Sequence, residues 1–153
     1  MFSGEGNAFG LALRNNNIQV FYTKIIHTTS SLFYIQGDLY SEQWDTAGNF
    51  IGDKKIDLRT SKNGFYSLTN TDDGGYMLSG AIDEALNDVV SPAQIQLVKF
   101  DSQNNFQWQK IIKTIYPSWG IESAELNNEF YVSGMQQVTD SALVMIMMKV
   151  KKN

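Results

Sequence analysis

The chain consists of short runs in which apolar and polar residues partly alternate, each bounded by Asp, Asn and Gly. Residues 95–100 form one such run and residues 106–111 form another, and both are rich in residues that favour strands. The five residues between them, 101–105, are of the types that reverse a chain. The pattern predicts two antiparallel strands joined by a tight turn.

The polar residues of this turn have a structural explanation. Asp101 can accept hydrogen bonds from backbone amides at the start of the turn. Gly48 in one copy and Asn104 in the next are residue types that tolerate a positive φ where the chain reverses. The turn aspartates are therefore expected to stabilise the hairpins.

The hairpin is part of an internal repeat. A shift of 56 positions places residues 45–50 on residues 101–106 and Gly64 on Gly120, and a shift of 54 places residues 76–80 on residues 130–134. Self-similarity at a nearly constant spacing indicates a repeat architecture with a unit of about 55 residues. The small differences in spacing are expected to lie in turns.

A second kind of hairpin occurs in every copy. It joins residues 64–68 to residues 76–80 through 70–75, recurs at 121–134 with a tighter Asn127–Asn128 turn, and recurs again at 9–22 with a turn at 15–17. Helix signals are nearly absent, and the one helix-compatible stretch, 82–88, is short. Four short strands in each period predict an all-β fold of β-propeller blades.

The predicted organisation is a single repeat domain over residues 1–153, equivalent to about two and a half blades of antiparallel strands. Its parts are an N-terminal strand at 8–14, blade-like units at roughly 18–69 and 75–126, and a partial unit at 129–153. Residues 32–35 fit an extra strand or the end of a long connection. The second long connection, 81–94, is a place where function can be added to a rigid frame.

Two stretches resemble a known repeat family. They are Asp73-Gly74-Gly75-Tyr76-Met77-Leu78-Ser79-Gly80 and the segment Leu97 to Lys110, which contains Lys99, Asp101, Asn105, Trp108 and Lys110. Together they resemble the repeat of secreted and surface β-propeller proteins of Bacteroidota-type bacteria. The resemblance implies export to the cell surface or beyond it, and no defined activity.

Composition and charge narrow the choice of partner. The 153 residues are 42% hydrophobic and 18% charged, which is typical of a folded globular domain. The net charge of -4 argues against a nucleic acid or an anionic membrane surface as partner. Lys149, Lys151 and Lys152 could together contact a phosphate, but they are expected to belong to a solvated terminal strand. No membrane insertion is expected, because no stretch approaches the length of a membrane span. Since cysteine is absent, thiolate metal sites, cysteine nucleophiles and disulfides are excluded.

The candidates for chemistry are few. His27 is the only histidine, so it is the one possible histidine base of a catalytic triad. The turn aspartates Asp45, Asp72, Asp73 and Asp101 are expected on one side of the blades, where two carboxylates could support glycoside hydrolysis. Asn70 with Asp72 and Asp73 offers oxygen ligands for calcium, but the spacing does not match an EF-hand, so a plain turn is preferred and no metal is predicted.

The binding candidates lie in two places. Tyr116 and Trp119, in a connection that contains Pro117, could form an aromatic platform for a sugar or a protein, although Trp119 could instead pack on the blade edge. Asp72 and Asp73 are the weaker candidates. No cofactor is predicted.

Two functional hypotheses follow. The first is an exported, non-catalytic binding or structural module that engages a glycan or a protein through one face or its long loops. The second is a glycoside hydrolase-like enzyme that uses the acidic turn face. The order of predicted strands leaves one strand short of complete blades, so the chain is expected to be a segment of a longer propeller or to assemble as a homo-oligomer with five or six blades from two chains.

Overall fold

The fold is all-β in the part of the chain that the computed structural model describes, residues 6–14, 16–28, 35–58, 63–82 and 93–151. These ranges contain eleven strands and no helix. In chain order the strands are β1 (Gly6–Arg14), β2 (Asn17–Thr28), β3 (Ile35–Asp45), β4 (Phe50–Ile56), β5 (Asn63–Asn70), β6 (Tyr76–Ile82), β7 (Gln94–Phe100), β8 (Phe106–Ile112), β9 (Ser118–Leu126), β10 (Glu129–Thr139) and β11 (Ala142–Val150).

The strands form three antiparallel groups in sequence order. We call β1–β4 the first sheet, β5–β8 the second sheet and β9–β11 the third sheet, and within each sheet every strand pairs with its neighbour along the chain. Gly37 of β3 also pairs with Asn63, the first residue of β5. The predicted all-β hairpin architecture is confirmed at this level.

The sheets begin one strand earlier than the predicted units. Units at 18–69 and 75–126 would place β5 and β9 last in their sheets, whereas β5 pairs with β6 and β9 pairs with β10. The reason is that short turns join both pairs and force neighbouring antiparallel pairing. The chain divides into two compact units, Met1–Gly64 and Phe65–Asn153.

Three hairpins share one turn geometry, over residues 45–49, 71–75 and 101–105. In each, the fourth residue donates its amide to the carbonyl of the first, at 2.9–3.2 Å, and the first donates to the carbonyl of the fifth. The fourth residue has a positive φ in all three: Gly48 at 86°, Gly74 at 78° and Asn104 at 65°. The prediction for Gly48 and Asn104 is confirmed, since these residue types enter the left-handed region most readily.

The tighter turns are also as predicted. Leu126 pairs with Glu129, so Asn127 and Asn128 alone form the turn between β9 and β10, with φ of 52° and 63°. Two consecutive residues with positive φ are the mark of the two-residue hairpin turn that matches the twist of the strands. Between β1 and β2, Arg14 pairs with Asn17 and Asn16 has a φ of 61°.

The core of the second unit lies between the second and third sheets. Its buried members are Met77, Ile95 and Leu97 from the second sheet and Phe130, Val132 and Val150 from the third. Trp108 of β8 lies against Phe130, with ring centroids 5.7 Å apart. Burial of these apolar side chains is the main force that holds the two sheets together.

The middle strands of the second sheet are buried at every position. Both β6 and β7 have all seven residues buried, whereas β8 is exposed or half-buried throughout. Burial of consecutive residues means that both faces of these two strands are covered.

No helix in the described ranges is long and apolar enough to cross a membrane.

Some predictions fall on residues outside the described ranges. Residues 32–34 of the uncertain segment lie outside them, while Ile35 begins β3. Most of the helix-compatible stretch 82–88 and most of the connection 81–94 also lie outside, and the flanking strands extend to Ile82 and from Gln94.

Candidate functional site

The carboxylates of Asp45 and Asp101 are engaged in their own turns. Asp101 Oδ1 accepts the amides of Gln103 and Asn105 at 2.8 and 2.9 Å, and Asp45 Oδ1 accepts the amide of Asn49 at 2.7 Å. Hydrogen bonds from Asn105 lower the pKa of Asp101, and hydrogen bonds from Asn49 lower the pKa of Asp45. Both groups stay ionised and act as caps of the turn, as their sequence pattern predicts.

Asp73 has a stronger attachment than either of them. Both of its carboxylate oxygens accept from Lys99 Nζ, at 2.9 and 2.8 Å, and Oδ1 also accepts the Thr71 hydroxyl and the Gly75 amide. Partial burial opposes ionisation, but the hydrogen bonds from Lys99, Thr71 and Gly75 outweigh it and hold the pKa of Asp73 well below its ordinary value. The Lys99 side chain is only 4% exposed, so this is an internal ion pair with one open side.

Gly75 makes room for that ion pair. A Cβ at this position would meet the Phe100 carbonyl oxygen and Lys99 Nζ. Lys99 Nζ donates to the same carbonyl at 2.8 Å. The Asp73-Gly74-Gly75 sequence therefore serves one structure: Gly74 supplies the positive φ, Gly75 admits the ammonium group, and Asp73 neutralises it.

The cation that the calcium hypothesis would place at this turn is supplied by Lys99. Its ammonium group lies within 2.9 Å of both Asp73 oxygens. In the described ranges, no three His, Asp or Glu side chains come together in a group that could hold a metal ion. The arrangement fits the plain turn that the sequence favours.

Asp72, the neighbouring candidate, has a different environment. Its backbone amide donates to Glu125 Oε2 of β9 at 2.8 Å, and nearby the Thr69 hydroxyl donates to the Ser123 carbonyl at 2.6 Å. These bonds join the second and third sheets at this end of the unit. Residues 72, 73 and 101 do lie at the same end of the second sheet, because Tyr76 pairs with Phe100.

The connection between β8 and β9, residues 113–117, is held at both ends by hydrogen bonds. Gln94 Oε1 accepts the Thr114 amide at 2.5 Å, and the Ser118 amide donates to the Ala93 carbonyl at 2.7 Å. The Ser118 hydroxyl donates to the Tyr116 carbonyl and accepts from Gln136 Nε2. A connection with this many fixed backbone groups presents its side chains in a defined position.

That connection displays two apolar side chains. Ile115 is 88% exposed, the most exposed large hydrophobic residue in the described ranges, and Tyr116 is 44% exposed. The predicted candidate Tyr116 is thus accessible. The sequence reasoning passed over Ile115, although an isoleucine at the tip of a short connection is a recognisable signal.

Trp119 does not belong to the connection. It lies in β9, where it pairs with Met135, and it is only half-buried, and its buried Nε1 has no hydrogen-bond partner among the residues that the structure describes. The prediction that Trp119 lies beside Tyr116 in a loop was wrong, because strand pairing begins at Ser118. Its side chain is part of the third sheet's outer face.

His27 lies in β2 and pairs with Gln36 of β3.

At the other end of the chain, Lys149 Nζ forms an ion pair with Glu129 Oε2 at 2.6 Å, and this contact lowers the pKa of Glu129. Lys151 is exposed, and Lys152 lies outside the described residues.

A polar aromatic group in the first sheet was not foreseen. Tyr22 stacks on Tyr40 with ring centroids 5.5 Å apart, and Glu42 accepts from Trp44 Nε1 at 3.3 Å. Burial, with smaller contributions from Glu42 and Asp53, raises the pKa of Tyr22 to about 12. These residues alternate along β2 and β3, so the signal was the period-two spacing of Tyr40, Glu42 and Trp44.

Comparison with known proteins adds no identification. The chain matches no protein-family model, and no curated protein sequence matches it. We therefore infer the function from the geometry of the residues described above.

Proposed function

We propose that this protein is a non-catalytic repeat module, built from β-propeller blades, that binds a protein ligand through the connection 113–117. The observation that supports the proposal is that Ile115 and Tyr116 are exposed on a connection whose backbone is fixed by hydrogen bonds at both ends. Export to the bacterial surface is part of the proposal and is supported by the sequence resemblance.

The turn carboxylates favour binding over hydrolysis. A glycosidase of the usual kind needs one carboxyl group with a raised pKa to protonate the leaving group, and a second carboxylate at a set distance from it. The pKa values of Asp45, Asp73 and Asp101 are instead lowered, and each carboxylate is engaged in hydrogen bonds that define its turn. Carboxylates of this kind are poor general acids at neutral pH.

The nature of the displayed pair favours a protein over a glycan. A sugar ring stacks on the face of an aromatic side chain, which Tyr116 could provide, but the still more exposed Ile115 offers only apolar contact. Tyrosine is enriched at protein interfaces, and the fully buried core of such an interface is apolar, which gives Ile115 a place beside it. The glycan is therefore the second choice of ligand.

The experiment compares three forms of the full chain: wild type, Ile115→Ser/Tyr116→Ser, and Ile51→Ser. Ile51 is 52% exposed on β4, so its variant controls for the loss of an exposed apolar side chain elsewhere. The probes are a random-peptide display library and an oligosaccharide array. We expect peptides that bind wild type and Ile51→Ser and lose at least about tenfold in affinity for the connection variant.

Two results would overturn the proposal. One is selected ligands that bind the connection variant as well as wild type. The other is turnover of chromogenic glycosides that a single Asp73→Asn or Asp101→Asn substitution abolishes while the circular dichroism spectrum is unchanged, which is the result that the hydrolase alternative requires.

A further inference from the structure

The third sheet has an apolar face that the core does not use. Phe130 and Val132 point into the core, so their neighbours along β10 point to the other side, and the strands paired with β10 follow the same alternation. We call this outer side the methionine face. Its members are Trp119, Tyr131, Met135, Leu143, Met145, Met147 and Lys149.

The methionine face is widely exposed. Met145 is 87% exposed, Met147 is 77% and Leu143 is 51%. Contiguous apolar side chains at such exposure mark interaction surfaces in soluble proteins. Methionine is also well suited to an interface, because its flexible side chain adapts to the partner.

The second sheet shows how the equivalent face is covered. The pair Tyr76–Phe100 beside one turn corresponds to the pair Phe130–Val150 beside the next, which places Ile95 and Leu97 at the positions of Met145 and Met147. Ile95 and Leu97 are completely buried against Phe130, Val132 and Val150 of the third sheet. Within the second unit, therefore, this face of the second sheet packs on the opposite face of the third sheet.

A pair of lysines shows the same relation. Lys99 pairs with Asp73 and is 4% exposed. Lys149, at the equivalent position, pairs with Glu129 and is 50% exposed. The third sheet thus has residues equivalent to the buried Ile95, Leu97 and Lys99, including an ion pair, but at these positions its side chains are exposed.

The first sheet carries a face of the opposite kind. Its Trp44 pairs with Ile18 as Phe100 pairs with Tyr76, so Ile18 and Val20 correspond to Phe130 and Val132, the residues that cover the second sheet. On β1, Leu11 pairs with Val20 and Leu13 pairs with Ile18, and these leucines are 65% and 68% exposed. We call the exposed or half-buried residues Leu11, Leu13, Ile18 and Trp44 the leucine face, because Val20 is already buried at 6% exposure. The same side of β2 and β3 continues into Tyr22, Tyr40 and Glu42.

We propose that the methionine face of one copy of this chain docks on the leucine face of a second copy. Such a contact repeats between molecules the packing that joins the second and third sheets within one molecule. Leu11 and Leu13 are 65% and 68% exposed, and Met145 and Met147 are 87% and 77% exposed, so docking would remove a large apolar area of both faces from water. A contact between two different faces is heterologous and joins copies head to tail.

Association is measured by sedimentation velocity over a wide range of concentration. For wild type we expect a mass that rises above the 17.3 kDa of one chain to a dimer or a larger multiple. Met145→Lys should weaken association by at least about tenfold. Ile51→Lys is the matched control, since Ile51 of β4 is 52% exposed but belongs to neither face and lies outside the connection 113–117, and it should associate like wild type.

A mixing experiment tests the head-to-tail geometry. Neither Met145→Glu nor Leu13→Lys alone should form the full assembly, but an equal mixture should form a one-to-one complex, because each variant supplies the face that the other lacks. The two substituted faces lie at the free ends of that complex.

Four outcomes would overturn the inference: a monomeric wild type at high concentration, full association of Met145→Lys, equal loss of association in Ile51→Lys, or wild-type association of Leu13→Lys. The last would mean that methionine faces pair with each other. Because peptide binding by the connection 113–117 is a separate readout, failure of this inference is distinguishable from failure of the proposed function.

Discussion

At the scale of single residues, the turn aspartates have two roles. Asp45 and Asp101 cap their turns, and Asp73 forms a salt bridge with the buried Lys99. Asp45 and Asp101 bind backbone amides within their own hairpins, while Asp73 reaches across to Lys99. The residue types of the turns could be read from the sequence, but the role of Lys99 could not, because the lysine is 26 positions away and alternation alone does not show which side of β7 is covered.

Asp73→Asn should lower the free energy of unfolding by about 1–2 kcal/mol at neutral pH, because it leaves the buried Lys99 ammonium without a charged partner. The folded-state pKa of Asp73 lies below its ordinary value of 3.8, so its contribution is present above about pH 4 and is lost as the pH falls further. Chemical denaturation at neutral pH and at low pH measures both effects.

The neighbouring Asp72→Asn is the control for that prediction. Asp72 takes part in the sheet contact through its backbone amide, so the substitution should change stability by less than about 0.5 kcal/mol. Equal losses for the two variants would contradict the role assigned to Lys99.

Gly48→Ala should destabilise the first unit by about 1 kcal/mol, because the alanine must adopt a φ of 86°. Gly52→Ala provides a matched control, since an added Cβ meets no atom within 4 Å at either position and only Gly48 has a positive φ. Thermal unfolding of the two variants gives the comparison, and an equal effect would show that turn geometry is not what Gly48 contributes.

At the scale of elements, the unit of construction is the hairpin, and hairpins were the most predictable part of the fold. The three five-residue turns and the Asn127–Asn128 turn follow from local residue types. The grouping of hairpins into sheets was less predictable. It depends on whether the connection 113–117 forms a hairpin, and hydrogen bonds from Ser118 to Ala93 and from Gln137 to Pro117 decide that it does not.

The packing of the second sheet on the third makes a testable prediction. Phe130→Ala should destabilise the second unit by about 3–5 kcal/mol, because Phe130 is 1% exposed and lies against Trp108. Phe106→Ala should cost much less, since Phe106 is 46% exposed on the edge strand β8. Urea denaturation followed by tryptophan fluorescence distinguishes them, and similar midpoints would contradict the placement of this core.

At the scale of the whole molecule, the repeat explains which surfaces are covered and which are not. The apolar run 142–148 is the sequence signal of a strand buried on both sides, yet one side of β11 is exposed. Burial on the second side requires a partner, which no local pattern identifies. The methionine face was therefore missed from the sequence, although the expectation of assembly between copies pointed in the same direction.

In the whole molecule, the carboxylates of Asp45, Asp73 and Asp101 stabilise turns, and the proposed ligand site is the exposed pair Ile115 and Tyr116. The most direct test is a titration of the side-chain carboxyl groups by nuclear magnetic resonance in the wild-type chain. We predict that Asp45, Asp73 and Asp101 titrate below their ordinary pKa of 3.8 and that Glu129 titrates below 4.5. A raised pKa at Asp45, Asp73 or Asp101 would identify a candidate general acid on the acidic turns, and a raised pKa at Glu129 would contradict its ion pair with Lys149.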